Sequence, residues 1–151
     1  MIMLQQIRIG KWLIEVDIDK TREFYSKDIP VCNCFYCKNY VEACKDLRTS
    51  LSDVFTKLGI NPAKPAHLSE FPSEEARTRL YLGHYHLVGR VLEGELCTDT
   101  NFNEKNTIEV TNFTVGFSED LEFVPEEFPN PVLQLSFDAK IPWVLKENPD
   151  D

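Results

Sequence analysis

A periodic run of apolar residues between Cys37 and Leu58 constrains the fold of this 151-residue chain more than any other feature. Apolar residues recur at steps of three and four, and charged residues fill the positions between them, which is typical of an amphipathic helix. We therefore predict one long helix of about six turns. Asn33 is the predicted N-cap, and Gly59 is predicted to end the helix because glycine adopts the left-handed conformation easily. The apolar positions are Tyr40, Val41, Cys44, Leu47, Leu51, Val54, Phe55 and Leu58.

Four other segments predict strands. Residues 7–16 place Trp12, Ile14 and Val16 on one side at a period of two. The other three segments are rich in β-branched and aromatic residues, and no helical segment separates them, so neighbouring strands are predicted to pair antiparallel. These segments are residues 80–92, 108–117 and 132–144.

The expected fold class follows from these segments. Asp19 is the predicted N-cap of a short helix that reaches Lys27, and the proline-rich residues 61–78 are predicted to form a surface connector. The chain has the usual length of one domain. We expect an α+β fold, residues 1–151 forming a single domain. Its single antiparallel sheet of about four or more strands would carry one long amphipathic helix and a short helix packed on a face.

Charge is distributed unevenly along the chain. Lys and Arg number 16 against 25 Asp and Glu, a net charge of −9, and residues 91–151 alone hold 3 basic against 14 acidic side chains. Such a surface repels phosphate groups, so the composition argues against nucleic acid and anionic membranes as partners. Either the charge serves solubility alone, or it attracts a basic partner protein.

The sequence carries no pattern typical of export or membrane insertion. The first residues lack a basic region followed by a sustained apolar stretch, and no run reaches the ~18 to 20 apolar residues that span a bilayer. Five cysteines, four of them between positions 32 and 44, are typical of free or metal-bound thiols in a reducing compartment. We expect a cytoplasmic protein.

Three cysteines, Cys32, Cys34 and Cys37, lie close together where the predicted long helix begins. Their spacing resembles that of zinc-binding knuckles, and a helix N-terminus favours the thiolate that zinc requires. Cys44 is ~10 Å further along the helix axis than Cys37, too far to share one ion, so it is predicted to pack in the apolar face. Candidates for a fourth zinc ligand are His84, His86 and Cys97. Redox chemistry and simple packing are the alternatives for the three thiols.

His84 and His86 are two residues apart on a predicted strand, so both point to the same side. Either is a candidate general base, although half-buried histidines bonded to the backbone are commoner. The chain has no Gly-x-Ser-x-Gly elbow, phosphate-binding glycine loop, His-Glu-x-x-His motif or dinucleotide fingerprint. We therefore assign no catalytic residue and no cofactor except a candidate zinc ion.

Three motifs together resemble a group of small bacterial cytosolic proteins. They are residues 15–25, the pattern Cys32-x-Cys34-x-x-Cys37-x-Asn39-Tyr40, and residues 83–89. The cysteine pattern is the most distinctive of the three. The resemblance implies a bacterial origin and a shared fold, but it brings no established activity.

These observations favour a small acidic protein that binds another protein and is not an enzyme. An immunity-like or antitoxin-like interaction with a basic partner suits the size and the charge. The acidic excess after residue 90 includes five carboxylates around Phe123, which are Glu119, Asp120, Glu122, Glu126 and Glu127. The rival hypothesis is a zinc protein in which the three clustered thiols stabilise the fold or sense oxidation. The oligomeric state is left open.

Overall fold

A computed structural model of the chain describes residues 4–27, 34–45, 49–75, 77–98 and 100–146. Within these residues seven strands span Gln5–Ile9 (β1), Trp12–Val16 (β2), His67–Pro72 (β3), Thr78–Glu93 (β4), Ile108–Val110 (β5), Phe113–Ser118 (β6) and Val132–Pro142 (β7). Three helices span Ile18–Tyr25 (α1), Phe35–Cys44 (α2) and Thr49–Leu58 (α3). None of these helices is long and apolar enough to cross a membrane.

All seven strands belong to one sheet, in which every neighbouring pair is antiparallel. The main order is β1-β2-β4-β7-β6-β5, and β3 pairs with β4 beside this path. The 16-residue strand β4 organises the sheet, because one of its edges pairs with β3 and then with β2. Its other edge pairs with β7 from Thr78 opposite Pro142 to Val88 opposite Val132.

The helices cover one face of this sheet over an aromatic core. Alternate residues of a strand point to opposite faces, and Tyr81, Tyr85 and Phe137 point towards the helices. The ring of Tyr40 in α2 stacks on Phe137 at 5.8 Å, and its hydroxyl lies 2.6 Å from the Tyr85 hydroxyl. Burying each large side chain contributes roughly 1.5–3 kcal/mol, so these contacts attach α2 firmly to the sheet.

The predicted long helix is wrong. Helix α2 ends at Cys44 and α3 begins at Thr49, while residues 46–48 lie outside the described part of the chain. Cys44 and Leu51 are both buried, which explains the unbroken apolar repeat. The repeat records which side of a helix is buried, and two successive helices can carry it as well as one can.

The predicted fold class is also wrong, because it included the long helix. The described structure is mostly sheet, with seven strands and three short helices of 8 to 10 residues. The predicted N-cap Asn33 lies outside the described residues; the N-cap of α2 is Cys34, which has an extended backbone.

Several element boundaries also differ from the predictions. Residues 7–16, predicted as one strand, belong to the hairpin β1–β2, which begins at Gln5 and turns at Gly10 with φ of +55°. The predicted connector 61–78 contains strand β3. The N-cap of α1 is Asp17, whose carboxylate accepts a hydrogen bond from the backbone N–H of Lys20 at 3.0 Å. The strands predicted over 80–92 and 132–144 are confirmed as β4 and β7.

Candidate functional site

The sheet face opposite the helices carries a polar cluster. The register places His67 of β3 beside His84 of β4, and His84 beside Ser136 of β7. His86 lies beside Gln134 in the next pair of residues on the same face. All three histidines of the chain are therefore neighbours. We call these five residues and Glu122 the histidine cluster.

Gln134 determines the hydrogen bonding of the cluster. The backbone N–H of Glu122 donates to Gln134 Oε1 at 2.7 Å, which fixes the orientation of the amide. The opposite end, Gln134 Nε2, then donates to His84 Nδ1 at 3.2 Å and to Ser136 Oγ at 3.1 Å. One buried amide thus connects β4, β7 and the segment that contains Glu122.

These contacts assign the tautomers of two histidines. His84 Nδ1 accepts from Gln134, so the neutral ring carries its proton on Nε2, which lies 3.5 Å from Glu122 Oε2. His86 Nε2 lies 3.2 Å from Gln134 Oε1 and must donate to it. His86 Nδ1 is left as a buried acceptor with no partner among the described residues.

His86 is held in its neutral form. Only 1% of the residue is exposed, and burial lowers the pKa of its imidazole from 6.5 to about 4, with a smaller lowering from the nearby His84. Hydrogen bonds of the ring with the Gln134 side chain and the Glu122 backbone raise this pKa in part. The ring is consequently uncharged at neutral pH, where a buried charge would be costly.

The segment between β6 and β7, residues 119–131, covers one end of this cluster, and we call it the acidic loop. It is longer than the two to five residues of most hairpin loops, and loops of this length are usually functional. Phe128 is buried against Phe24 of α1 at 4.6 Å between ring centroids and lies 6.0 Å from His86. Ser118 Oγ accepts from the backbone N–H of Asp120 at 3.0 Å.

Phe123 is the most exposed large apolar residue of the acidic loop, at 60%. Its backbone has φ of +56°, a conformation that is uncommon for residues other than glycine. Its ring stacks on His67 at 4.2 Å with an interplanar angle of 8°, and His67 Nε2 lies 2.7 Å from Ser69 Oγ. The stack holds the ring above the sheet with most of its surface in solvent.

Ser136, His84 and Glu122 are of the residue types that form the nucleophile, base and carboxylate of a catalytic triad. His84 Nδ1 lies 3.1 Å from Ser136 Oγ, so a proton relay is geometrically available. Ser136 is only 8% exposed, however, and both edges of β7 at this point are paired, with His84 and with Gly116. The surrounding backbone N–H groups belong to the sheet ladder, which makes an oxyanion hole at Ser136 unavailable.

The thiols predicted to bind zinc lie elsewhere. Cys34 is exposed at the start of α2, and its sulfur accepts from the backbone N–H of Cys37 at 3.5 Å; Cys32 lies outside the described residues. His84 and His86 are on the face away from α2, and Cys97 is buried against Gly116 of β6. Over the described ranges, no three His, Cys, Asp or Glu side chains are arranged to hold a metal ion.

Cys44 lies in the apolar face of α2, as predicted. It is buried, its sulfur is 3.9 Å from the carbonyl oxygen of Pro62, and burial raises the pKa of the thiol to about 12. Such a thiol stays protonated and inert at neutral pH.

Sequence reasoning missed the partners of the histidines. Gln134 and Ser136 alternate with apolar residues on β7, a pattern that usually indicates a solvent-facing side, yet both are buried. A His-x-His strand beside a Gln-x-Ser strand was the available signal, but it becomes visible only when the two strands are known to be neighbours.

No known protein family, curated protein or solved structure matches this chain. The resemblance drawn from the cysteine pattern therefore stays a prediction.

Proposed function

We propose that this protein is a non-enzymatic binding module that recognises a basic partner protein through the acidic loop. The observation that carries the proposal is the exposure of Leu121, Phe123 and Val124 on one short segment. Exposed apolar groups rimmed by charge are typical of protein interaction sites. The exposed carboxylates of the same loop are Glu119, Asp120, Glu126 and Glu127.

Preorganisation of the loop supports this proposal. Phe128 and the Glu122 backbone attach the loop to the sheet, and His67 holds the ring of Phe123 by stacking. A partner would therefore meet an apolar contact that is already positioned, so less conformational entropy would be lost on binding. Aromatic residues in such positions often contribute most of the binding energy.

Charge favours a cationic partner. The carboxylates of the acidic loop would attract a basic surface over a distance of about one Debye length, ~8 Å at physiological ionic strength. An immunity-like or antitoxin-like interaction in the cytoplasm is the role we propose. The four cysteines of the described chain are all free thiols, which supports a reducing compartment. Nucleic acid and membranes are not the partners we propose.

The experiment is affinity capture from host-cell extract at low and moderate salt, followed by measurement of Kd with the purified partner. Phe123→Ala should weaken binding about tenfold or more, because it removes the central aromatic contact. Phe71→Ala is the matched control, since Phe71 is also exposed, at 43%, but lies on β3. A second comparison uses two double variants. One carries Glu126→Gln and Glu127→Gln in the acidic loop, and its control carries Glu23→Gln and Glu74→Gln at exposed positions outside the loop.

Two results would refute the proposal. One is the absence of any protein whose capture falls as salt rises. The other is a partner that binds the Phe123→Ala and Phe71→Ala variants with the same Kd. A lower association rate for the Glu126/Glu127 pair alone would support electrostatic attraction by the loop.

A second candidate function is zinc binding through Cys32, Cys34 and Cys37. The observation in its favour is that Cys34 is exposed at the helix N-cap, within one turn of Cys37. Elemental analysis of protein purified without added metal tests it. One zinc per chain that is lost in Cys34→Ser, but retained in Cys44→Ala, would support the site; a stoichiometry near zero would eliminate it.

A further inference from the structure

The acidic loop is attached to the sheet over a buried neutral histidine. His86 lies beneath Phe128, and its Nδ1 is a buried acceptor with no partner among the described residues. The same ring donates to Gln134 Oε1, which also accepts from the backbone N–H of Glu122 in the loop. The protonation state of His86 and the position of the loop are therefore linked through direct contacts.

Groups from four elements face this ring or its backbone. On β4 the neighbouring titratable group is His84, on β7 the neighbour is Gln134, and from the loop come Phe128 and the Glu122 backbone. From α1 the Tyr25 hydroxyl donates to the His86 carbonyl oxygen at 2.9 Å and accepts from its backbone N–H at 3.1 Å.

The other two histidines differ from His86 in their surroundings. His84 has the carboxylate of Glu122 at 3.5 Å as a counter-charge, and the ring of His67 is partly exposed. Within the described residues, no ion pair involves His86. A proton added to His86 would place an N–H at Nδ1, an atom that has no hydrogen-bond partner among the described residues, and a charge beside the ring of Phe128. Since only 1% of the residue is exposed, hydration of that charge requires a change in the packing around the ring.

We propose that His86 makes the attachment of the acidic loop sensitive to acid: protonation of His86 favours a conformation in which Phe128 and the loop leave the sheet. If the loop opens in acid, partner binding should also be lost at mildly acidic pH, and that consequence rests on the proposed function. The opening of the loop does not depend on the proposed function.

The expected size follows from linkage. The pKa of His86 is about 4 with the loop attached, and it returns to about 6.5 when the ring is hydrated. Acid therefore favours the open loop below pH 6.5, and the effect saturates below pH 4. Through His86 alone, the ratio of open to attached loop should rise about 30-fold between pH 7.5 and pH 5.

The experiment measures amide hydrogen exchange of Glu122 from pH 7.5 to pH 5, corrected for the intrinsic exchange rate. Because this N–H donates to Gln134, its protection should fall about 30-fold. The control is the N–H of Ile60, which donates to the Phe55 carbonyl oxygen at 3.0 Å on the helical side of the sheet. Its protection should not change over this range.

Two variants assign the effect. His67→Asn should keep the pH dependence, because the His67 ring stacks on Phe123 and bonds to Ser69 Oγ, whereas the Glu122 N–H and the His86 ring both bond to Gln134. His86→Phe keeps a ring under Phe128 and should abolish the dependence. If His86→Phe does not fold, the NMR titration of the His86 ring in the natural protein replaces it, and the exchange of Glu122 should follow the same midpoint.

Three results would overturn the inference. These are Glu122 protection that is constant down to pH 5, a fall of equal size at Ile60, or an unchanged dependence in His86→Phe. Since none of the measurements uses a partner, loss of the inference and loss of the proposed binding function are distinguishable.

Discussion

Replacing Asn39 by alanine tests whether the distinctive Cys-x-Asn-Tyr sequence is structural. Asn39 lies in α2 with no solvent exposure. Its Nδ2 donates to the Pro142 carbonyl oxygen at 3.1 Å and to the Tyr81 hydroxyl at 3.4 Å. Its Oδ1 accepts from the backbone N–H of Val144 at 2.7 Å. One side chain therefore fastens the segment after β7 to the helix.

The magnitude follows from the groups that lose a partner. The Pro142 carbonyl and the Val144 N–H would each lose a hydrogen bond, at a cost of about 1 kcal/mol apiece, and incomplete rehydration adds to this. The Tyr81 hydroxyl keeps its donation to the Tyr36 carbonyl oxygen at 2.7 Å. We expect Asn39→Ala to lower the free energy of unfolding by about 2–3 kcal/mol.

Urea denaturation followed by far-UV circular dichroism measures this difference. With a slope of roughly 2 kcal/mol per molar urea, the midpoint should fall by about 1–1.5 M. Asn112→Ala is the matched control, because Asn112 Nδ2 donates to the Lys140 carbonyl oxygen at 2.7 Å from an exposed position. It should cost less than about 0.5 kcal/mol. Equal midpoints for the two variants would refute the structural role of Asn39.

Three further predictions concern the close packing of β3 on β4, the reactivity of two thiols, and a partly buried carboxyl on β7. Gly83→Ala should lower the melting temperature and shift the NMR signals of the His67 ring. The reason is that a Cβ at position 83 would lie 2.7 Å from both the His67 carbonyl oxygen and Phe137 Cζ. An unchanged melting temperature would contradict the close approach of β3. Cys34 should be alkylated at least ~100-fold faster than Cys44 at pH 7.5, because Cys34 is exposed and burial raises the pKa of Cys44 to about 12. Peptide mass spectrometry measures the two rates. Similar rates would contradict the burial of Cys44. Burial raises the pKa of Asp138, so ionising this carboxyl costs stability at neutral pH. Asp138→Asn should therefore raise the melting temperature at pH 7 but not at pH 3, where the carboxyl is already largely protonated, and the exposed Asp120→Asn should show no such difference.

The local patterns of the sequence predict much of the secondary structure. Strong alternation identified β7, and the apolar repeat identified the buried apolar residues of α2 and α3, including Cys44 and Phe55, but not the buried Asn39. Neither pattern could show that two helices replace one, because a break between them leaves the repeat intact. The hairpin turn at Gly10 was missed because apolar residues typical of strands lie on both sides of it, so residues 7–16 were interpreted as one strand.

The candidate site depended on contacts between residues far apart in the chain. The carboxylates around Phe123 were visible in the sequence as a charged segment, whereas their attachment to the sheet through Gln134 was not. That contact exists because β4 and β7 are neighbours in a register that puts His86 beside Gln134. Period and composition determine which residues share a face. Only the tertiary structure decides which faces meet, because pairing of distant strands depends on the packing of the whole sheet.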